Sequence, residues 1–455
     1  MSARRFRSVW PRLKAARKND RLRAIVDGTA SAALAKVLTS LISLVSLPLC
    51  VHYFGPERFG VWVTIVSTAA WISIFEFGLT DTITNIVSAA HATGDRDTAA
   101  RHVTNALAIT FAFAVLVFSL GALFWSHLDW MRILNVHDLS ATAEIRSTIA
   151  IACSLVLFTP VCTIGIKILS GYQQTHIANL VTVLGAVASF LALMCGIELH
   201  LSMSWLFFLS TGLVTLSGLA TLAWTLFVAK PWLRPRLHHI SPLVTRALLA
   251  GGLPFFTIRV AAVVVFSTDN ILVSHYLGAA QVTPYSIAMR LTTYAQLIPS
   301  FLFPSLWAAY AEANARGDIH WIRATYRRTM NSCLALMGSA LLFLIVFGRP
   351  IVRIWAGADA VPTESLLIAM ALWTLISGAT GIQSCLLGAV NRNRLQAGAS
   401  VAAALLNVVL SIFFLKHFGS IGAVEGTLVS YLLIVGPQTW AIKQLFQESA
   451  VAENP

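Results

Sequence analysis

Three cations lie inside long apolar stretches of this chain: Lys36, Arg259 and Arg290. A charge at the centre of a membrane span costs roughly 2.5–3.5 kcal/mol unless it faces a cavity or a partner. Arginine grips phosphate or carboxylate with two parallel hydrogen bonds, and lysine acts as a compact point charge. The chemistry these residues offer is therefore the holding of an anionic ligand. Three acids share the same stretches: Glu76, Asp81 and Asp269. Each has two readings. Glu76 or Asp81 can neutralise Lys36, and Asp269 can pair with Arg290, in ordinary internal salt bridges. Alternatively, the acids carry a coupling proton or sodium ion while the cations face a cavity. "GGLPFF", with Gly251, Gly252 and Pro254, lies just before Arg259. It reads either as a hinge or as a close-packing site for small residues.

Bond-making chemistry has no matching residues. The sequence has no phosphate-cradling P-loop, no HExxH, no GxSxG and no aspartate-rich metal–pyrophosphate motif. The six cysteines are scattered through apolar runs without CxxC spacing, so they read as small hydrophobes rather than metal ligands. The expectation is a protein that is not an enzyme, with no cofactor and no metal.

The elements that carry the buried charges are set by composition. The 455 residues are 57% hydrophobic and 11% charged, with mean hydropathy +0.75. A soluble domain has about 25% charged residues. Apolar runs of about 18 residues or more cross a bilayer core as helix, whereas a membrane barrel would show short alternating segments. The expected fold is an all-α polytopic membrane protein with twelve spans. They fall near 24–50, 59–86, 103–125, 148–169, 176–197, 203–229, 247–274, 280–309, 329–348, 364–388, 395–415 and 420–442.

Lys and Arg concentrate on one side of that layout. The first 23 residues hold nine of them, and Arg96, Arg101, Lys230, Arg234, Arg236 and Arg323 fall in loops on the same side. The orientation rule for basic residues then places both termini in the cytoplasm. The expected organisation is a basic tail (1–23), a six-helix half (24–229), a cytoplasmic linker (230–246), a second six-helix half (247–442) and a short tail (443–455). Nothing resembles a nucleic-acid module.

The two halves repeat. "HYFG" at 52–55 returns as "HYLG" at 275–278, and "ATGD" at 92–95 returns as "ARGD" at 315–318, both at an offset of 223. Six spans per half is an even number, so both halves insert in the same sense. A pseudo-two-fold axis along the membrane normal relates them, as in transporters built from parallel repeats. The offset carries Lys36 onto Arg259, which puts matched cations on opposite walls of one central cavity.

The stretch 52–95 resembles the opening of bacterial polysaccharide-unit flippases, which handle O-antigen and exopolysaccharide units. These belong to the multidrug/oligosaccharidyl-lipid/polysaccharide exporter superfamily, which also holds the multidrug and toxin extrusion transporters. The shared marks are Phe54-Gly55 to Phe59-Gly60, Phe77-Gly78-Leu79 and Gly94-Asp95. They are confined to the first two spans, while the span layout matches throughout. The resemblance implies two six-helix bundles, alternating access in a bacterial inner membrane, and transport of an undecaprenyl-pyrophosphate-linked oligosaccharide to the periplasmic leaflet. Its partners would be that polyprenyl-pyrophosphate-linked glycan, membrane lipid and polysaccharide polymerase or assembly proteins. Two alternatives stand beside it. One is a small-molecule/ion antiporter of the same fold, although such a site favours acidic residues over cations. The other is an integral membrane glycosyltransferase or polymerase, which needs an external catalytic loop larger than any present here.

Overall fold

The computed structural model describes residues 4–72, 74, 78–127, 130, 142–390, 392 and 394–452. Side chains are described from Ser31 onward, with Asp81, Pro254 and Arg259 among the exceptions. The basic side chains of the 1–23 tail and all of Glu76 therefore lie outside the described residues. Among the described residues the chain is helical, with no strand. The helices are α1 (Arg4–Ile72), α2 (Leu79–Thr93), α3 (Arg96–Phe124), α4 (Thr142–Gly171), α5 (Thr175–Glu198), α6 (Met203–Ala229), α7 (Pro242–Leu277), α8 (Ala279–Thr293), α9 (Leu297–Ala315), α10 (Ile319–Ala356), α11 (Glu364–Ala389), α12 (Arg394–Phe418) and α13 (Ser420–Ala452). By length and composition, nine described helices can cross a membrane. The protein is a multi-pass membrane protein.

The 223-residue register is visible in the backbone. Gly55 sits at φ 73°, ψ 169° inside α1, and Gly278 sits at φ 90°, ψ 158° between α7 and α8. Only glycine adopts that region without strain, so each residue turns the chain sharply between consecutive helices. Gly94 and Gly317 match in the same way, at φ 78° and 72°.

One expected span is interrupted, and another changes its helical winding. The reading of 59–86 as one helix gives way to α1 ending at Ile72 and α2 starting at Leu79, with Gly78 left-handed (φ 64°) at the new N-terminus. Over 280–309 the backbone stays right-handed helical, and only tightens to one 3-10 turn at Tyr294–Gln296 between α8 and α9. Shifted back by 223, that turn falls on 71–73, where α1 ends. Gly78 maps onto Phe301 inside α9, so its left-handed break has no counterpart there. Hydropathy does not register such breaks, because the residues on either side stay apolar. Non-helical backbone at membrane depth needs protein or a water-filled cavity around it.

The chain divides into two compact units. One comprises residues 1–44, 75–123 and 154–253, and the other 45–74, 124–153 and 254–455. The first is centred on Leu79, Ile83, Val103, Ile164, Ile168 and Leu222, all nearly inaccessible. Small residues allow its helices to approach: a Cβ on Gly165 would lie 2.5 Å from the Leu222 backbone. Asn105 on α3 ties the linker after α6 to that helix. Buried Asn105 donates to the carbonyls of Arg101 and His239, both at 2.7 Å, and accepts from the Ser241 N–H at 2.9 Å. The second unit packs Val265, Val273, Tyr285, Met370, Trp373 and Val424 together. Its helices α12 and α13 also meet closely, with the Cβ position of Gly426 2.5 Å from the Ser411 nitrogen. On its surface, Arg58 pairs with Glu144 at the start of α4.

Candidate functional site

The second unit contains a buried acidic cluster. Thr268, Asp269 and Asn270 on α7 are all buried, Asp269 to 4% exposure. Such a polar triplet inside an apolar helix is tolerated only where each group finds a partner. Asp269 Oδ2 accepts the Tyr285 hydroxyl at 2.9 Å and the Thr427 hydroxyl at 3.2 Å. Asn407 Nδ2 donates to Thr427 Oγ1 at 2.8 Å. The single proton of Thr427 is shared between Asp269 and the Ala423 carbonyl. Four helices thus converge on one carboxylate: α7, α8, α12 and α13.

The account does not close on the protein alone. Asp269 Oδ1 and Asn407 Oδ1 are buried and make no hydrogen bond within the protein. A cavity of about 10 Å³ adjoins the carboxylate, lined by Val265, Met289, Trp373 and Val424 together with Tyr285 and Thr427. That is room for about one water-sized occupant. A buried carboxylate without a cationic partner is costly, and a proton or a small cation on Oδ1 removes that cost. A sugar has no room here.

The structure separates several residues that the sequence links. Asp269 is held by Tyr285 and Thr427, not by Arg290, so the salt bridge envisaged between them is replaced by a hydroxyl cage. The reason is helical phase. Tyr285, five residues before Arg290, faces the α7–α13 core, whereas Arg290 lies on the exposed side of α8. Lys36 is exposed on α1 in the first unit. Arg259 lies in the α7 backbone, but its side chain and that of Asp81 lie outside the described residues, as does Glu76. Gly251 and Gly252 end the first unit's share of α7, and the unit boundary falls between Leu253 and Pro254. A Cβ on Gly251 would come within 3.1 Å of the Thr82 methyl group. Tyr285, Asn407 and Thr427 carry no sequence signal, since they stand 16, 138 and 158 positions from Asp269.

Comparison with known proteins follows the same lines. The model of the polysaccharide biosynthesis protein family matches residues 25–311. A protein of Salmonella typhi named "Putative O-antigen transporter" is 22% identical over 411 residues, covering 89% of this chain and 93% of its own. Among solved structures, an inward-facing multidrug resistance MATE family transporter of the MOP superfamily superposes with TM-score 0.75 at 15% identity. That match covers 91% of this chain and 99% of the other. A MOP superfamily transporter from Pyrococcus furiosus, described for the reversed polarity of its binding pocket, superposes with TM-score 0.63 at 16% identity, covering 94% and 95%.

Proposed function

Because this chain belongs to the polysaccharide biosynthesis protein family, and relatives of it are named as an O-antigen transporter and a glycan biosynthesis flippase, we propose that it is a lipid-linked oligosaccharide flippase. Its cargo is an undecaprenyl-pyrophosphate-linked glycan, carried from the cytoplasmic to the periplasmic leaflet of a bacterial inner membrane by alternating access. The observation that carries this reading is the near end-to-end match to the Salmonella typhi protein, whose name specifies O-antigen. Twelve spans follow if α1 is counted as two on either side of Gly55, if its second part and α2 form one broken span, and if α8 runs on into α9 as one span. Both termini are then cytoplasmic. The two sequence halves supply Lys36, Arg259 and Arg290 to a central cationic cavity, which takes the pyrophosphate or acidic sugars.

The buried Asp269 cluster supports ion coupling. It is sized for a proton or one small cation, and α7 runs directly from it to the Gly251–Pro254 segment. The unit boundary at Leu253–Pro254 supports that segment as the hinge. Glu76 and Asp81 remain charge partners for Lys36 in this scheme. Polymerase or assembly proteins receive the exported unit.

The test is Arg259→Ala in the native host, with surface polysaccharide and membrane protein level both measured. The expected outcome is loss of the polysaccharide at unchanged protein level. Normal polysaccharide in that variant removes the cationic-cavity role.

A further inference from the structure

Away from Asp269, the first unit holds a second constellation. The C-terminal ends of α2 and α4, the start of α3 and the segment after α6 enclose a cavity of about 370 Å³. It is lined by His91, Asp95, Arg96, Tyr172, Lys230 and Trp232 together with small residues. The Arg96 guanidinium lies 4.6 Å from the centre of the Trp232 ring. The Lys230 ammonium lies 4.5 Å from the Tyr172 ring and 5.5 Å from Trp232. The aromatic rings are themselves fixed, because Trp232 Nε1 donates to the Tyr172 hydroxyl at 3.2 Å and His91 packs 5.0 Å from Tyr172.

What matters is how the two cations are held. An aromatic face attracts a cation through its quadrupole without neutralising it or occupying its N–H donors. Neither Arg96 nor Lys230 pairs with a carboxylate among the described residues. Asp95, the one acid in the lining, spends an oxygen on the Thr98 N–H. The cavity is left with a net positive charge, a planar guanidinium and a compact ammonium, the combination that grips phosphate. Its volume lies in the range of small-molecule sites rather than single-ion sites.

The duplication supplies an internal control. The offset of 223 carries the Gly94-Asp95 turn onto Gly317-Asp318, which keeps the same backbone and the same cap. It carries Arg96 onto Ile319 and His91 onto Asn314. The turn therefore folds without these side chains, and their presence in one half only is not a requirement of the fold.

We propose that this cavity binds a phosphate-bearing head group. On the Lys/Arg distribution it faces the cytoplasm, where anionic phosphates of lipids and of soluble metabolites are both at hand. The proposal does not depend on the identity of the transported cargo, and the Arg259 experiment leaves it untouched.

The experiment uses the full chain in phosphatidylcholine nanodiscs. Inorganic pyrophosphate and dihexanoyl-phosphatidylglycerol are titrated separately by calorimetry. The unmodified protein is expected to bind at least one probe saturably. Pyrophosphate alone identifies a pyrophosphate group, free or carried by the cargo, and the lipid identifies a phospholipid head group; either result supports the site. Arg96→Gln with Lys230→Gln should weaken binding about tenfold or more, since charge-assisted phosphate contacts are lost. Arg96→Lys with Lys230→Arg should retain it, and Arg234→Gln with Arg236→Gln, outside the cavity, should leave it unchanged. If the glutamine double variant does not fold, Lys230→Gln alone serves. Failure of the unmodified protein to bind either probe overturns the proposal. So does an equal loss in both glutamine pairs, which would mark a diffuse basic surface.

Discussion

Asp95 and Asp318 make the same hydrogen bond 223 positions apart. Each Oδ1 accepts the backbone N–H three residues further on, from Thr98 at 2.9 Å and from Trp321 at 3.0 Å. Each follows a left-handed glycine and caps the third helix of its half. An unpaired N–H at a helix start is the cost of losing such a cap. Asp318→Ala should destabilise α10 by about 1 kcal/mol, and Asp318→Asn by much less. Asp95→Ala should act in the same direction on α3. Thermal unfolding in detergent measures both, and unchanged transitions would show that the caps are dispensable. The Thr98 hydrogen bonds hold the Asp95 carboxyl below its ordinary range. Its contribution is therefore present above the ordinary carboxylate value and fades as pH falls through the lowered one.

Tyr285 and Asp269 are 2.9 Å apart in a fully buried pair. Tyr285→Phe removes one of the two donors to Oδ2 and should cost about 1–3 kcal/mol in stability. Asp269→Asn keeps the shape but removes the ionisable group. In reconstituted vesicles it should abolish the dependence of transport on an ion gradient while membrane insertion stays normal. Gradient-driven transport at the unmodified rate in Asp269→Asn would show that coupling lies elsewhere.

Gly60 faces the Ala279 carbonyl so closely that a Cβ there would lie 1.8 Å from the oxygen. Backbone must move to admit one methyl group. Gly60→Ala should therefore destabilise the protein by about 1–3 kcal/mol, seen as a lower transition temperature and lower membrane yield. Gly121→Ala, where a Cβ meets nothing within 4 Å, is the control and should leave both unchanged.

His239 fastens the linker after α6. Its carbonyl accepts from Asn105, its ring is buried, and Nε2 lies 3.8 Å from Asp97 Oδ1. Burial first, then the neighbouring His238, and more weakly Arg236 and Arg101, hold the imidazole below its ordinary range against the opposing pull of Asp97. The unfolded linker takes up a proton more readily than the folded one. The stabilisation is therefore complete above about pH 6.5 and is lost as pH falls toward the lowered folded value. Hydrogen exchange at the Ser241 N–H, which donates to Asn105, should accelerate on acidification beyond the intrinsic pH effect. His239→Phe should remove that extra acceleration.

The amino-acid sequence by itself determined the solvent, the helices and the register. Apolar runs of spanning length and too few charges to cover a soluble surface leave a helical membrane protein as the physical outcome, because only helix satisfies its own backbone in lipid. Glycines at 55, 278, 94 and 317 keep the 223-residue register in the backbone, because local backbone conformation is encoded by the local residue. The tertiary structure alone decided what the buried acid meets. Asp269 was visible as an expensive charge, but its cage comes from Tyr285, Asn407 and Thr427 on three other helices, at separations no spacing rule joins. The break in the second span was hidden for a related reason: hydropathy averages over a window, while a break is set by a few backbone torsions and by the packing around them. The aromatic brackets around Arg96 and Lys230 were hidden in the same way. Each cation reads as an ordinary inner-loop charge until folding brings Tyr172 and Trp232 beside it.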